Sequence, residues 1–297
     1  MAASKLGRAE RISGWLFVMP ALTLLGIFMV YPILWSLYMS FQTGKGMNFK
    51  FGGFANVIRL TKDPVFLHAL SNTLTFLVIQ VPIMILLALI LAQALNNPFL
   101  KGRAFFRTAI FLPCVTSLVA YSILFKSMFA GDGVINDFLI DLHIIAEPIR
   151  WLSQPFWAKT VIIMAITWRW TGYNMIFYLA AMQNIDRSMY EAARIDGVPA
   201  WARFVHITIP MLKPVILFTT VISTIGTLQL FDEVNNITAS GGAGGAPADS
   251  TLTLSLYIYN LTFKFMPNLG YAATISYVIV LLVAVLSWLQ FLAAKER

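Results

Sequence analysis

Six stretches of this sequence run for about twenty residues or more with few charges, near 15–41, 70–95, 106–129, 158–182, 214–235 and 271–292. Roughly twenty apolar residues are what an α-helix needs to cross a hydrocarbon core. Helices satisfy their backbone donors and acceptors internally, which lipid demands. The chain is 59% apolar and 11% charged, whereas soluble domains average about a quarter charged residues. The expected fold class is therefore all-α: an integral membrane protein with six transmembrane helices. Residues 1–14 form an N-terminal segment, 15–292 one membrane domain and 293–297 a short C-terminal tail. The first apolar run exceeds the roughly 7–15 residues of a cleaved signal, so it reads as a retained helix, bent at Pro20 and Pro32.

Six spans place both termini on one side, and basic residues select which. Twelve Lys and Arg lie in the N-terminus, the 96–107 loop, the 184–213 loop and the C-terminus, against eight on the opposite side. That bias puts the termini and the 184–213 loop in the cytoplasm. The 130–157 loop and the Gly-rich 239–247 segment then face outward, the latter as a flexible connector or as a contact for a delivery protein. Several chemistries are disfavoured. His68, His143 and His206 are scattered without metal-ligand spacing, and Cys114 is a single thiol in an apolar run, read as buried and inert. No G-x-x-x-x-G-K-[ST] phosphate loop is present, so this chain does not hydrolyse ATP by itself.

Between the fourth and fifth apolar runs lies a polar island containing Asp186, Arg187, Glu191, Arg194, Asp196, Arg203 and Lys213. Ser188-x-x-Glu191 reads as a capping box starting a short helix. Gly197 permits a left-handed turn, and Pro199 suits the start of a second helix. The expected product is a cytoplasmic helix–turn–helix, small at Ala192 and Ala193 on one side and charged on the other. It is suited to a groove on another protein, or, as an ordinary loop, to the lipid surface.

Polar groups inside the bilayer mark cavities or partners. Arg169 falls roughly 12–16 Å below the outer surface at about 1.5 Å per residue. Arg169, Trp170 and Tyr173 share a helix face through i, i+3 and i, i+4 spacing. An aromatic wall with guanidinium donors suits a neutral polyhydroxylated ligand. The other reading is a structural arginine paired with a carboxylate, for which Asp232 and Glu233 are candidates at a depth mismatch of roughly 9–13 Å. Ser223, Thr227 and Leu230 form an i, i+4, i+7 stripe that either faces the same cavity or bonds its own backbone. The spans lack the mid-membrane carboxylates and repeats of an ion-coupled secondary transporter. The clustered His, Asp and Glu of a membrane-embedded enzyme are missing too.

The ordered run Glu191-Ala192-Ala193, three residues, Gly197, nine residues, Ile207-x-x-Pro210 resembles the EAA signature of membrane subunits of bacterial ATP-binding-cassette importers. That signature ends Ile-x-Leu-Pro, and Ile209 stands at the Leu position. Trp168 through the EAA loop, Phe231-Asp232 with Thr238, and Ser250-Thr251 leading to Tyr257-Ile-Tyr259 are similar to the sugar-importer branch, the maltose and glycerol-phosphate permeases. The usual Gly-Gly-Pro after the Thr is stretched here to Gly241 through Pro247. The resemblance spans the C-terminal two-thirds. It implies a non-enzymatic subunit of the bacterial inner membrane, without cofactor or nucleic acid, carrying a sugar or, alternatively, a sugar-phosphate or glycerol-phosphate. Its implied partners are a second homologous permease, two copies of a cytoplasmic ATPase and an external sugar-binding protein. Glu191 would anchor the ATPase, Ala192 and Ala193 pack against it, and Asp196, Gly197, Ile207 and Pro210 transmit the movement. Sugar-facing positions carried over are Arg169, Trp170, Tyr173, Ser223, Thr227 and Leu230, most differing in identity from the maltose case.

Overall fold

The computed structural model describes residues 2–46, 48–97, 99–238 and 249–295, and these are almost wholly helical. The Gly-rich 239–247 segment and the end of the C-terminal tail lie outside the described residues. The helices are α1 (Ala2–Leu25), α2 (Tyr31–Ser40), α3 (Ala55–Leu60), α4 (Pro64–Asn96), α5 (Arg103–Val115), α6 (Leu118–Met128) and α7 (Val134–Asp141). They continue as α8 (Pro155–Met182), α9 (Arg187–Ile195), α10 (Ala200–Arg203), α11 (Ile209–Leu228), α12 (Leu254–Tyr259) and α13 (Leu269–Lys295). The chain divides into two compact units, residues 1–62 with 261–277 and residues 63–260 with 278–297.

In the first unit, α1 continues into α2 through a π-helical turn at Gly26–Val30, with Pro32 at the second residue beyond it. The same arrangement recurs in the second unit, where a π turn at Phe204–Thr208 precedes Pro210. Proline has no N–H and crowds the carbonyl four residues back. A widened turn just upstream accommodates both faults without breaking the helix. The expected bend at Pro32 therefore takes the form of a π turn, whereas Pro20 sits inside uninterrupted α1. Two residues each of β1 (Gln42–Thr43) and β2 (Lys50–Phe51) pair antiparallel, an element the apolar patterning does not announce. Asn56 secures this corner by donating to the carbonyls of Ser40 and Gln42 at 2.9 and 2.8 Å. Gly270 leaves no room for a Cβ against the Gln42 carbonyl.

The second unit is built on α4 and α8. Asp63 caps α4 by accepting from the N–H groups of Val65 and Phe66 at 3.0 and 3.3 Å, and Pro64 occupies the first helical position. Ala88 and Ala92, both fully buried, let α8 approach closely, where Met175, Tyr178 and Met182 pack with Leu212 of α11. Between lipid-embedded helices such packing works through van der Waals contact, since tails are as apolar as the side chains.

Among the described residues, four helical stretches are long and apolar enough to cross a membrane: Glu10–Ser40, Pro64–Asn96, Ala200–Leu228 and Leu269–Lys295. A fifth is the pair α5 and α6, bent by 99° at Thr116–Ser117. The single helix expected over 106–129 is therefore two. Helix α8 spans 28 residues but carries Lys159, Arg169 and Asn174. Six spans require counting both the bent pair and α8.

The 130–151 loop is organised by Asn136, which is fully buried. Its amide donates to the carbonyls of Gly131 and Ile149, each at 3.0 Å, and its oxygen accepts from the Ile149 N–H and Trp151 Nε1 at 3.1 and 2.9 Å. Removing it strands several buried groups, at about 1–3 kcal/mol each. Asn136→Ala is expected to make this loop sensitive to limited proteolysis while membrane insertion persists.

Candidate functional site

The polar island folds as a helix–turn–helix. Its N-cap is Asp186, which accepts from the Ser188 N–H at 2.9 Å, and not Ser188 as the capping-box reading had it. Both are good caps, and the structure selects the one after Ile185, which is buried. The hydrogen bond from the Ser188 N–H holds the Asp186 carboxyl below the usual carboxylate range. The helix ends in a Schellman motif. Gly197 adopts φ +73°, its N–H bonds the Arg194 carbonyl at 3.1 Å, and the Val198 N–H bonds the Ala193 carbonyl at 2.9 Å.

The two alanines do not form one surface. Ala193 is buried, whereas Ala192 is exposed beside Glu191. Ser188, Glu191, Ala192 and Ile195, at i, i+3, i+4 and i+7, make one exposed face of α9. Ile195 is 87% exposed and Trp201 69%, a pair of anchors absent from the sequence-based set although Ile195 sits four residues after Glu191. Asp196 is also exposed. On the opposite face, the Tyr190 hydroxyl bonds Thr208 at 2.9 Å. Thr208 belongs to the π turn containing Ile207, which with Pro210 lies in the continuous Ala200–Leu228 stretch. Helix α9 is thereby tied to a membrane-crossing helix.

The second cluster lies on α8. Trp170, Tyr173 and Phe177 step along one side of it, with ring centroids 5.7 and 5.0 Å apart, and Phe177 meets Phe218 of α11 at 5.9 Å. Trp170, Tyr173 and Phe177 are half-buried and Phe218 is exposed. Phe177 was legible at i+4 from Tyr173; Phe218 required the tertiary contact. Arg169 points elsewhere. It is buried and donates through Nη1 and Nη2 to the carbonyls of Pro113 and Cys114, both at 3.2 Å. Those are carbonyls freed where α5 ends, and a cation there also meets the negative end of the helix dipole. Its Nε has no acceptor among the described residues. Arg169 thus directs its Nη donors at the broken helix, so they are not free for a ligand beside the aromatic rings.

The stripe on α11 is dispersed as well. Thr227 is buried and donates to Gln80 of α4 at 3.0 Å. Leu230 is buried beyond the end of α11, and its carbonyl accepts from Thr253 at 2.7 Å. Ser223 is half-buried. A cavity of about 950 Å³ between α4, α5 and α8 is lined chiefly by apolar side chains such as Ile79, Ile83, Leu87 and Ile163, and includes none of the sequence-based positions. Cys114 is half-buried, and among the described residues no group of three metal-ligating side chains occurs. The segments flanking the Gly-rich stretch are joined: Thr238 and Thr251 share a 2.8 Å hydrogen bond, and the rings of Phe231 and Tyr259 lie 5.0 Å apart.

The model of the family described as binding-protein-dependent transport system inner membrane component matches residues 51–297. The chain belongs to this family. It is the permease subunit of an ATP-driven importer, and ATP hydrolysis resides on a separate subunit. The permease is 69% identical over 294 residues to the lactose transport system permease protein LacF of Rhizobium radiobacter, covering 99% of this chain and 98% of LacF. It is 31% identical over 281 residues to the arabinooligosaccharides transport system permease protein AraP of Bacillus subtilis, covering 94% and 87%. Among solved structures it resembles a chain of a bacterial ABC transporter involved in the import of the acidic polysaccharide alginate. There the TM-score is 0.84 at 23% identity, over 98% of this permease and 99% of that chain. A second structure, of a bacterial alginate ABC transporter in complex with alginate pentasaccharide-bound periplasmic protein, superposes with a TM-score of 0.78 at 25% identity, over 99% and 95%.

Proposed function

We propose that this permease forms, with a second homologous permease, the path for a neutral carbohydrate delivered by an external binding protein, with lactose the first candidate cargo. Two copies of a cytoplasmic ATPase drive it, and helix α9 receives their movement. In this reading the chain crosses the membrane six times, with both termini and α9 in the cytoplasm. The observation that carries the carbohydrate reading is the half-buried ladder Trp170–Tyr173–Phe177 on α8, continued by Phe218. Sugars present apolar ring faces edged by hydroxyls, and amphipathic aromatic rings meet both. Tyr173 adds a hydroxyl with no hydrogen-bond partner among the described residues. Trp170, Tyr173 and Ser223 are assigned to sugar contact, with Phe177 and Phe218 added. Arg169, Thr227 and Leu230 are buried and engaged by other parts of the chain, and are not assigned to sugar contact.

A phosphorylated cargo fits less well. Phosphate recognition draws on free, convergent basic donors, and those of Arg169 are directed at two backbone carbonyls.

The test is uptake of labelled lactose, maltose and glycerol-phosphate by the complete importer with its binding protein. Lactose or maltose uptake supports the carbohydrate reading, and uptake of glycerol-phosphate alone overturns it. Trp170→Ala is expected to raise the half-saturating sugar concentration about tenfold, the worth of one lost aromatic contact. Phe156→Ala, in the apolar cavity away from the ladder, is expected to leave it unchanged.

A further inference from the structure

We infer that Arg169 and Glu233 are a charge pair joined through the ring of Tyr121, and that this triad positions Trp170 at the head of the aromatic ladder, an inference that rests on the function proposed above. The Arg169 guanidinium carbon lies 4.6 Å from the centroid of the Tyr121 ring and 5.6 Å from that of Trp170. On the far side of Tyr121, its hydroxyl donates to Glu233 Oε1 at 2.6 Å. Arg169, Tyr121 and Glu233 are 5%, 3% and 5% exposed. The adjacent Asp232 is half-buried, so the more deeply placed carboxylate is the one engaged.

A buried charge needs a counter-charge as well as hydrogen bonds. The carbonyls of Pro113 and Cys114 satisfy Arg169 N–H groups without supplying net negative charge. Glu233 supplies it across a gap that neither side chain spans alone. A phenol donating to a carboxylate gains electron density in its ring, which strengthens attraction for a cation over the face. The tyrosine is thus a conductor between two charges and not a spacer.

The triad sits where helices are interrupted. Arg169 binds the end of α5, Tyr121 belongs to the first turn of α6, and Glu233 follows the end of α11. Trp170, beside the triad, is the residue that reaches the proposed route. Its ring lies against Arg169 on one side and edge-on to Tyr173 on the other. Arg169 therefore acts on cargo through Trp170, as a positioning residue.

Arg169→Met, Glu233→Gln, the double variant and Tyr121→Phe are compared in the complete importer. The readouts are recovery of assembled complex from membranes, and the half-saturating concentration and maximal rate of sugar uptake per complex. Each charge-removing single is expected to lower recovery about tenfold, since it leaves one charge buried alone. The double variant is expected to yield more complex than either single, because it buries none. Tyr121→Phe, which keeps the ring and loses the hydroxyl, falls between wild type and Glu233→Gln. In the double variant the half-saturating concentration rises while the maximal rate stays within about twofold, the signature of lost ground-state positioning.

Multiplicative losses in the double variant, or a Glu233→Gln chain recovered like wild type, overturn the charge pair. An unchanged half-saturating concentration removes the positioning role. Recovery does not depend on cargo, so the pair can fail while wild-type sugar uptake stands. If wild type takes up no sugar, the functional reading fails and the recovery comparison still decides the pair.

Discussion

Replacing Glu191 with lysine is expected to cut sugar-stimulated ATP hydrolysis of the assembled importer at least tenfold, with membrane insertion intact. The asymmetry follows from where Glu191 stands. It is exposed on the same face of α9 as Ser188, Ala192 and Ile195, and no hydrogen bond or ion pair within the chain involves it among the described residues. Reversing its charge therefore costs the isolated permease little, as for most surface substitutions. At an interface, by contrast, juxtaposing a charge with one of like sign costs several kcal/mol, and about 1.4 kcal/mol is already tenfold in affinity. Gly197→Pro should lose coupling by a different route. Proline cannot adopt φ +73° and has no N–H for the Arg194 carbonyl, so the turn itself opens. Gly197→Ala keeps the N–H and faces open space at its Cβ, leaving only a left-handed strain of about 1–2 kcal/mol. Coupling should fall in the order Gly197→Ala, then Gly197→Pro. Sugar-stimulated hydrolysis by Glu191→Lys equal to wild type would falsify the assignment of α9 as the coupling helix.

What could be read from the sequence divides along physical lines. Properties set by neighbours in the chain were legible. The apolar runs became helices because lipid leaves the backbone no alternative, and the turn at Gly197 followed from its position between two short amphipathic segments. At the N-cap of α9, Asp186 and Ser188 are both competent, and only the burial of Ile185 separates them. Properties set by distant segments were not legible. Nothing in the apolar stretch 106–129 distinguishes Pro113, which spans tolerate, from a proline at which a helix turns by 99°. The break is stable because Arg169, 56 residues away, takes up the carbonyl left at Pro113. Within the sequence alone, the carboxylates that can be assigned to Arg169 are Asp232 and Glu233 on the fifth span. The gap in depth expected between Arg169 and Asp232–Glu233, roughly 9–13 Å at about 1.5 Å per residue, disfavours a direct pair. Tyr121, on a helix whose direction depends on that break, fills it.

Substituting Gly172 with alanine is expected to damage the packing of α5 on α8 through a single added methyl group. Helix α5 approaches α8 so closely here that an added Cβ would collide with the backbone carbonyl of Ile110 and press on the Cα of Phe111. A flexible side chain could step aside; a carbonyl in a packed helix cannot without moving the helix. Overpacking of this kind costs about 1–3 kcal/mol. The displaced helix is also the one whose end Arg169 holds, three residues away on the same side of α8, so the loss extends to its 3.2 Å bonds with Pro113 and Cys114. Gly226 provides the control, because it lies within α11 and a Cβ there meets nothing within 4 Å. In a helix interior, alanine is favoured over glycine by about 1 kcal/mol, so Gly226→Ala should be recovered from detergent at wild-type levels or better. Gly172→Ala should yield several-fold less folded permease and a lower melting temperature in the assembled complex. Equal thermal stability of the two variants would mean that α5 and α8 are not held in register at this contact, and the rigid seat that Arg169 gives the broken helix would go with it.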